Sequence, residues 1–394
     1  MRARRTTLPV LVGAGAAALL LSGCGVGSLG VHGGTSAQES TASIHLTPAS
    51  SAPIAPTTPL VVTAVSGRLT GVVVTGPSGP VPGELSVDGS TWTATGGILD
   101  YGAKYKIAAH AVDLTGLRTD LTRTVRTIAP SKFLSWQMSP SPGSTVGVGM
   151  PIRVSLDHQL TTTEAKAAFE RAATVTADGV AVSGGWRWLT DDVALYRPQR
   201  YWPGHATITL TTALKGVKFS KGLWGQASTS TSFTTGPAMV SYVDMLTDEM
   251  TVTRDGKKIR TIPITTGKPG FETRSGVKVI MDKELTRVMD AATGGTAKTD
   301  PEYYRIEVQY AMRLTYSGEF LHAAPWSVRS QGHANVSHGC TGMSTSNAAW
   351  LYDHSNIGDV VIYTGTNRAM ESGNGITVWN TSWSTWKTYS ALNA

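Results

Sequence analysis

The sequence predicts a mainly β protein, with two β-sandwich modules in front and a third β-rich domain behind them. Short runs of alternating apolar and polar residues recur at even spacing, first from Leu60 to Ile128 and again from Met150 onward, with turn residues between them. Tight-turn signals such as Val87-Asp88-Gly89-Ser90 and Asp255-Gly256-Lys257 sit between such runs, as β-hairpins require. The composition agrees: 43 glycines, 7% aromatic and only 15% charged residues suit exported β modules better than a cytosolic helical enzyme.

The chain opens with a basic segment, Met1 to Arg5, and an apolar run, Leu8 to Leu21, too short for an ordinary spanning helix. It ends in Leu21-Ser22-Gly23-Cys24, which resembles a bacterial lipobox. Cleavage after residue 23 would leave Cys24 as an N-terminal, diacylated residue and tie the protein to the outer face of the cell membrane. An ordinary signal peptide with an incidental cysteine, or a twin-arginine signal at Arg4-Arg5, are the alternatives. Residues 24–58 are rich in Gly, Ser, Ala, Thr and Pro and are expected to form a flexible tether. The formal net charge of +7 falls once Arg2, Arg4 and Arg5 are removed with the leader. The remaining basic bias is mild. No Lys/Arg cluster marks a nucleic-acid groove, whereas weak attraction to an anionic cell envelope fits.

The first module is expected over 59–130, with strands at Leu60–Val65, Leu69–Val74, Gly83–Val87, Thr91–Ala94 and Tyr105–Val112. The second is expected over 131–237. Met150–Leu156, Val180–Leu189, Val193–Arg197 and Ala206–Leu210 read as strands, and Thr163–Ala173 as a short amphipathic helix. Trp186, Trp188 and Trp202 suggest either a carbohydrate platform or core filling, and core filling is the expectation.

In the third domain, expected over 238–366, Met250–Thr253 and Ile259–Thr265 form a hairpin, followed by strands at Val277–Met281 and Glu284–Met289. Residues 290–303 are rich in Gly and Thr and read as mobile. Tyr304–Leu314 is strand-like, Ser344 caps a helix through His354, and Val360–Tyr363 closes the sheet.

Cys340 lies in Ser337-His338-Gly339-Cys340 and is one of only two cysteines in the chain. If Cys24 carries lipid, Cys340 has no disulfide partner. A nucleophilic thiol needs a base nearby and dipoles to hold a developing oxyanion. His322 and His338 are candidate bases, and Gly339 lets the backbone turn closely, so that amides beside Cys340 can face a substrate. A buried cysteine that serves only in packing is the alternative. His322, His333, His338 and Cys340 form no zinc-binding pattern, and no GxSxG elbow surrounds Ser337. Neither a metal nor a cofactor is expected.

His322 followed by Ser337-His338-Gly339-Cys340 resembles the signature of the L,D-transpeptidases, the YkuD-type cell-wall enzymes. Ala324-Pro325-Trp326-Ser327, Gln331-Gly332-His333 and Ser344 through His354 resemble their mycobacterial branch. The resemblance implies two immunoglobulin-like domains ahead of a YkuD-type catalytic domain, with residues 290–303 as a lid bordered by Met289 and Tyr304. It implies peptidoglycan stem peptides as donor and acceptor. Cys340 would attack the third, L-centred residue of a tetrapeptide, release D-Ala and pass the acyl group to an amine of another stem, giving a 3→3 cross-link. It also implies acylation by carbapenem β-lactams. His322 would be the base, the Ala323 carbonyl its orienting partner, and His338 would shape the environment of the thiol. The amides of Gly339 and Cys340, with the Tyr304 hydroxyl as a further candidate, would form the oxyanion hole. Met289, Tyr304, Ser317, Gly318 and Gly342 would contact substrate. The chain departs from the family at Ala323, where many relatives have Ser, and at Gly342, where they carry Asn or Arg. Gly342→Asn is accordingly expected to tighten donor binding. His333 is expected to be a structural loop residue.

Two rival functions fit the same residues: an L,D-carboxypeptidase that passes the acyl group to water, and a non-catalytic wall-binding lipoprotein. Finally, Trp379, Trp383, Trp386 and Tyr389 fall at i, i+4, i+7 and i+10, one face of a helix. Residues 367–394 are therefore expected to form a tail that buries this stripe against the catalytic domain, because an exposed stripe of that size invites aggregation.

Overall fold

The computed structural model describes residues 38–393, so the leader, Cys24 and the start of the expected tether lie outside the described residues. From Ser43 the tether expectation is corrected. Ser43–Thr47 is a strand paired antiparallel with Val61–Val65, and Ala42 and Ile54 are buried in the first core. The apolar residues Ile44, Leu46 and Ile54 are few but correctly spaced, so local composition concealed an edge strand.

The first sandwich packs the sheet formed by Ser43–Thr47, Val61–Val65, Thr91–Ala94 and Gly83–Leu85 against a second sheet. That sheet comprises Gly79–Pro80, Arg68–Gly76, Lys104–Val112 and Arg118–Arg126. Strand alternation sends Tyr105, Ile107, Ala109 and Ala111 inward to meet Leu60, Val62 and Trp92.

In the second sandwich, Trp136–Ser139, Ile152–Leu156, Val193–Pro198 and Gly184–Trp188 form one sheet. Thr145–Val146, Ser228–Thr235, Thr207–Ala213, Ala173–Ala177 and Val180–Ala181 form the other. The helix Thr163–Ala172 is capped by Thr162, whose hydroxyl accepts from the Ala165 amide at 3.2 Å, and it buries Phe169. Trp186 and Trp202 lie in this core, and Trp188 packs against it while donating to Glu170 at 2.8 Å. They fill the module rather than offer a platform.

The third domain holds two sheets. Lys257–Pro263, Glu249–Arg254, Met239–Asp244, Val360–Thr364 and Gly276–Val279 form the first, and Asp282–Asp290, Arg305–Arg313, Phe320–Ala323 and Thr341–Met343 the second. Asp255 and Gly256 both have positive φ (50° and 77°), the conformation that a two-residue hairpin turn of matching twist requires. The helix Thr345–His354 is capped by Ser344 and buries Ala348 and Leu351. Asp282–Asp290 and Arg305–Arg313 pair as one long hairpin, with Asp290 opposite Arg305, so residues 291–304 form its tip.

The tail expectation is corrected in both conformation and partner. Val378–Asn380 is a 3-10 turn, and a short helix, Trp383–Lys387, follows, capped by Ser382. The tryptophans pack on the second sandwich. Trp379 Nε1 donates to the Gly149 carbonyl at 2.7 Å and Trp386 Nε1 to the Gly185 carbonyl at 2.9 Å. The Arg197 guanidinium lies 5.0, 5.4 and 4.8 Å from the rings of Trp379, Trp383 and Trp386. A hydrophobic stripe announces that a face is buried, but not against what. Asn380 meanwhile holds Val277 of the third domain through its backbone N–H and carbonyl, both at 2.7 Å, so the tail straps the two domains together.

Candidate active site

Pairing places the candidate residues. Phe320–Ala323 runs parallel to Thr341–Met343, with Leu321 opposite Thr341 and His322 opposite Gly342. Cys340 immediately precedes the second strand, so the ladder brings His322 to the same end of the sheet across 17 residues of intervening chain. Both line a cavity of about 250 Å³ with Met289, Tyr304, His338 and Gly342. Its walls are mostly apolar, including Ile306, Val308, Trp326 and Val336.

His322 is buried, and its Nδ1 lies 2.8 Å from the Ala323 carbonyl oxygen. A carbonyl only accepts, so Nδ1 carries the proton and Nε2 keeps a lone pair. Burial lowers the imidazole pKa, against a smaller opposing effect of that hydrogen bond. The ring is therefore neutral at pH 7. The contact at position 323 is made by the backbone carbonyl, a group that Ala and Ser supply alike.

Cys340 is 9% exposed. Its thiol faces the Gly318 carbonyl oxygen at 3.5 Å. Burial pushes its pKa up to about 11, although the Phe320 backbone N–H pulls the other way. The resting thiol is neutral, and a thiol of that kind is nucleophilic only once a base has removed its proton.

His338 lies at the cavity edge, but its Nε2 is 2.6 Å from Glu302 Oε2. Lys268 Nζ reaches the same oxygen at 2.7 Å, and the rings of Phe271 and Tyr304 flank His338 at 4.7 and 4.9 Å. Glu302 comes from the hairpin tip, where the composition suggests a mobile stretch and the family resemblance a lid. It pins that tip over the site, and no sequence signal tied it to Lys268 or His338.

Three placements differ from expectation. The Gly339 amide, at φ +121°, donates to Ser337 Oγ at 3.1 Å, and that hydroxyl donates to the Cys340 carbonyl at 2.6 Å. Ser337 thus closes a turn, and the Gly339 amide is engaged there instead of pointing into the cavity. Ser317 does not line the cavity either. Its amide donates to Asn374 Oδ1 at 2.9 Å, and its hydroxyl accepts from Asn374 Nδ2 at 2.8 Å, so the tail occupies it. At Gly342, an added Cβ would lie 2.8 Å from Ala324 Cβ and 3.2 Å from Thr265 Cγ2. Backbone must move before any side chain fits, which offsets the gain expected from Asn. Gly318 meets the thiol through its carbonyl and does not line the cavity, and neither does His333. The Tyr304 hydroxyl, its pKa pushed up to about 12 by burial, remains a donor at neutral pH.

Paired β-sandwiches ahead of a β domain that closes a neutral thiol and a neutral, oriented imidazole into one cavity define a class of protein. Residues 239–362 match the L,D-transpeptidase catalytic domain (YkuD), and residues 51–218, spanning most of both sandwiches, match a bacterial Ig domain. L,D-transpeptidase 2 of Mycobacterium tuberculosis (strain CDC 1551 / Oshkosh) is 33% identical over 331 residues, which are 84% of this chain and 80% of the relative. L,D-transpeptidase 5 of Mycobacterium tuberculosis (strain ATCC 25618 / H37Rv) is 31% identical over 352 residues, 87% of this chain and 75% of the relative. A solved LD transpeptidase in complex with imipenem is 34% identical and superposes with a TM-score of 0.50, covering 60% of this chain and 100% of its own. The chain belongs to the YkuD L,D-transpeptidase family and is a transpeptidase, an acyltransferase in chemical class.

Proposed function

We propose that the protein is an extracytoplasmic peptidoglycan L,D-transpeptidase that forms 3→3 cross-links through a Cys340 thioester. The observation that supports this best is the His322 tautomer, with Nδ1–H on the Ala323 carbonyl and the lone pair left on Nε2, in a mostly apolar cavity that Cys340 also lines. Nε2 takes the Cys340 proton as sulfur attacks the carbonyl carbon of the third stem residue. The oxyanion meets the Cys340 amide and the Tyr304 hydroxyl. As the tetrahedral intermediate collapses, the imidazolium returns its proton to the D-Ala amine, which leaves. An amine of a second stem then attacks the thioester, passes its excess proton to His322, and expels the thiol. Met289, Tyr304 and the backbone of Gly342 would border the donor stem. Carbapenems would acylate the same sulfur. Cleavage and lipidation at Cys24 would anchor the protein, with the sandwiches as spacers that let it reach into the wall.

The test is incubation with a tetrapeptide stem, with and without a second stem. Cross-linked dimer and released D-Ala are expected. Tripeptide alone would mean an L,D-carboxypeptidase, and an unchanged stem with no carbapenem adduct on intact mass would mean a non-catalytic wall protein. His322→Ala should slow acylation by about 10²-fold or more, the scale for losing a positioned base, and His338→Ala should cost less. The reverse order in single-turnover assays would reassign the base.

The pH dependence follows from the neutral His322. Its pKa lies below the ordinary 6.5, so the base form persists through neutrality. Carbapenem acylation should hold level from pH 8 to pH 7 and fall only as the pH drops through a pKa below the ordinary 6.5, where the imidazole takes up a proton. A profile that already falls between pH 8 and 7 would show that His322 is not the group that titrates.

A further inference from the structure

Behind the nucleophile, on the side away from the cavity, lies a buried charge cluster that the proposed chemistry does not use. Lys278 is 0% exposed, Glu319 4% and Arg274 9%. Lys278 Nζ donates to Glu319 Oε2 at 2.5 Å. Arg274 donates to Glu319 Oε1 through Nη1 at 2.9 Å and through its amide at 3.1 Å. Arg274 also pairs with Glu371 of the tail. Burying such charges is costly, and hydrophobic replacements of similar volume often fold as well or better. What these charges touch is therefore informative.

They back Cys340 through its neighbours in both directions along the chain. Glu319 sits between Gly318, whose carbonyl faces the sulfur, and Phe320, whose amide bonds it. The Glu319 Cγ also packs under Gly339, 3.8 Å from where a Cβ would stand. On the other side, the Lys278 ammonium lies 3.7 Å from the Tyr363 ring centroid, and the Tyr363 hydroxyl is 2.7 Å from Thr341 Oγ1. The residues before and after Cys340 are thus each backed by one member of the pair.

We infer that Lys278 and Glu319 are positioning residues for the Cys340 thiol: Glu319 fixes the backbone around the sulfur, and Lys278 offsets the charge that this carboxylate would otherwise turn against a thiolate. The inference rests on Cys340 being the nucleophile. Its electrostatic sense agrees with the pKa directions, since Glu319 raises the thiol pKa and Lys278 lowers it. Burial brings Lys278 itself down to about 8, against the pull of Glu319, so its charge is present at pH 7 and largely gone at pH 9. The other ionisable groups around the sulfur are His322, His338 and Tyr304 on the cavity side and Tyr363 and Arg274 behind it. They are common to every variant compared below.

The test uses the full chain and methyl methanethiosulfonate, a small reagent that the thiolate attacks at sulfur to form a mixed disulfide with loss of methanesulfinate. No peptide is involved, so failure here leaves the transpeptidase reading standing, and failure of the stem assay leaves this test intact. Lys278→Met should slow modification at pH 7 by about tenfold, one unit of thiol pKa. Glu319→Gln should speed it at pH 9 by about tenfold, because Lys278 is already neutral there and only the carboxylate's opposition is removed. A folded variant with an unchanged rate at its stated pH overturns the inference. If neither single variant folds, the charge-free Lys278→Met/Glu319→Gln protein decides. In the wild type the rate should rise by less than tenfold per pH unit between 7 and 9, as Lys278 loses its proton. The double variant should show the full tenfold rise. Equal slopes would overturn the inference.

Discussion

Cys340→Ala is expected to abolish both cross-linking and carbapenem acylation while leaving the protein folded. The loss is complete because no second thiol stands in the described residues and Ser337 is committed to its turn. The fold should survive because the sulfur sits in a small apolar cluster with Met289, Val308, Ala311 and Phe320, which an alanine methyl continues to line. Removing one buried heavy atom costs about 1 kcal/mol, a shift of a few degrees in melting temperature. Intact-mass analysis after carbapenem exposure, beside a thermal melt, checks both halves. Adduct formation at a rate near wild type would refute Cys340 as the nucleophile.

Trp386→Ala should be the most destabilising single change outside the cores of the sheets. The indole is fully buried, bonds the Gly185 carbonyl and lies under Arg197. Truncating a buried Trp costs about 3–5 kcal/mol. The site stands apart from the cavity, so the first effect should be an early melting transition of the second sandwich, with Cys340 still reactive below it. Trp386→Phe should lose less, because packing survives and only the Nε1 hydrogen bond goes. A Trp386→Ala melt that overlays the wild type would mean the strap contributes nothing.

Period-two patterns and turn chemistry made most of the sheet structure legible in the sequence. The Asp255-Gly256 turn is one case, and the inward face of Lys104–Val112 is another. Cys340, His322 and the Ala323 carbonyl were legible too, because a thiol, an imidazole and their flanks form a compact signature. What escaped depends on pairing between distant segments. Glu302 meets His338 only because two strands pair as a hairpin whose tip folds over the site. Lys278 meets Glu319 only through sheet packing, and a lone Lys or Glu in a strand pattern ordinarily reads as a solvated face. Ser337 and Asn374 captured groups expected to serve substrate, and such local hydrogen bonds leave no periodic trace. The tail stripe was read correctly as buried but given the wrong partner, since amphipathicity carries no address.

The strap has a consequence for how the chain comes to be finished. Trp386 bonds a carbonyl 201 residues earlier, and Ser390 and Ala391 reach back to Glu170. The second sandwich is therefore synthesised long before the segment that covers its Gly185 and Arg197 face. Until residues 379–391 arrive, that face stays uncovered, and such surface is where incompletely folded chains aggregate. The final closure is the most non-local step in the molecule and follows formation of both domains it joins. A nick near Gly373–Gly375 would return the protein to that unfinished state long after synthesis, with the strap at Asn380 and Val277 loosened and the cavity's own residues untouched.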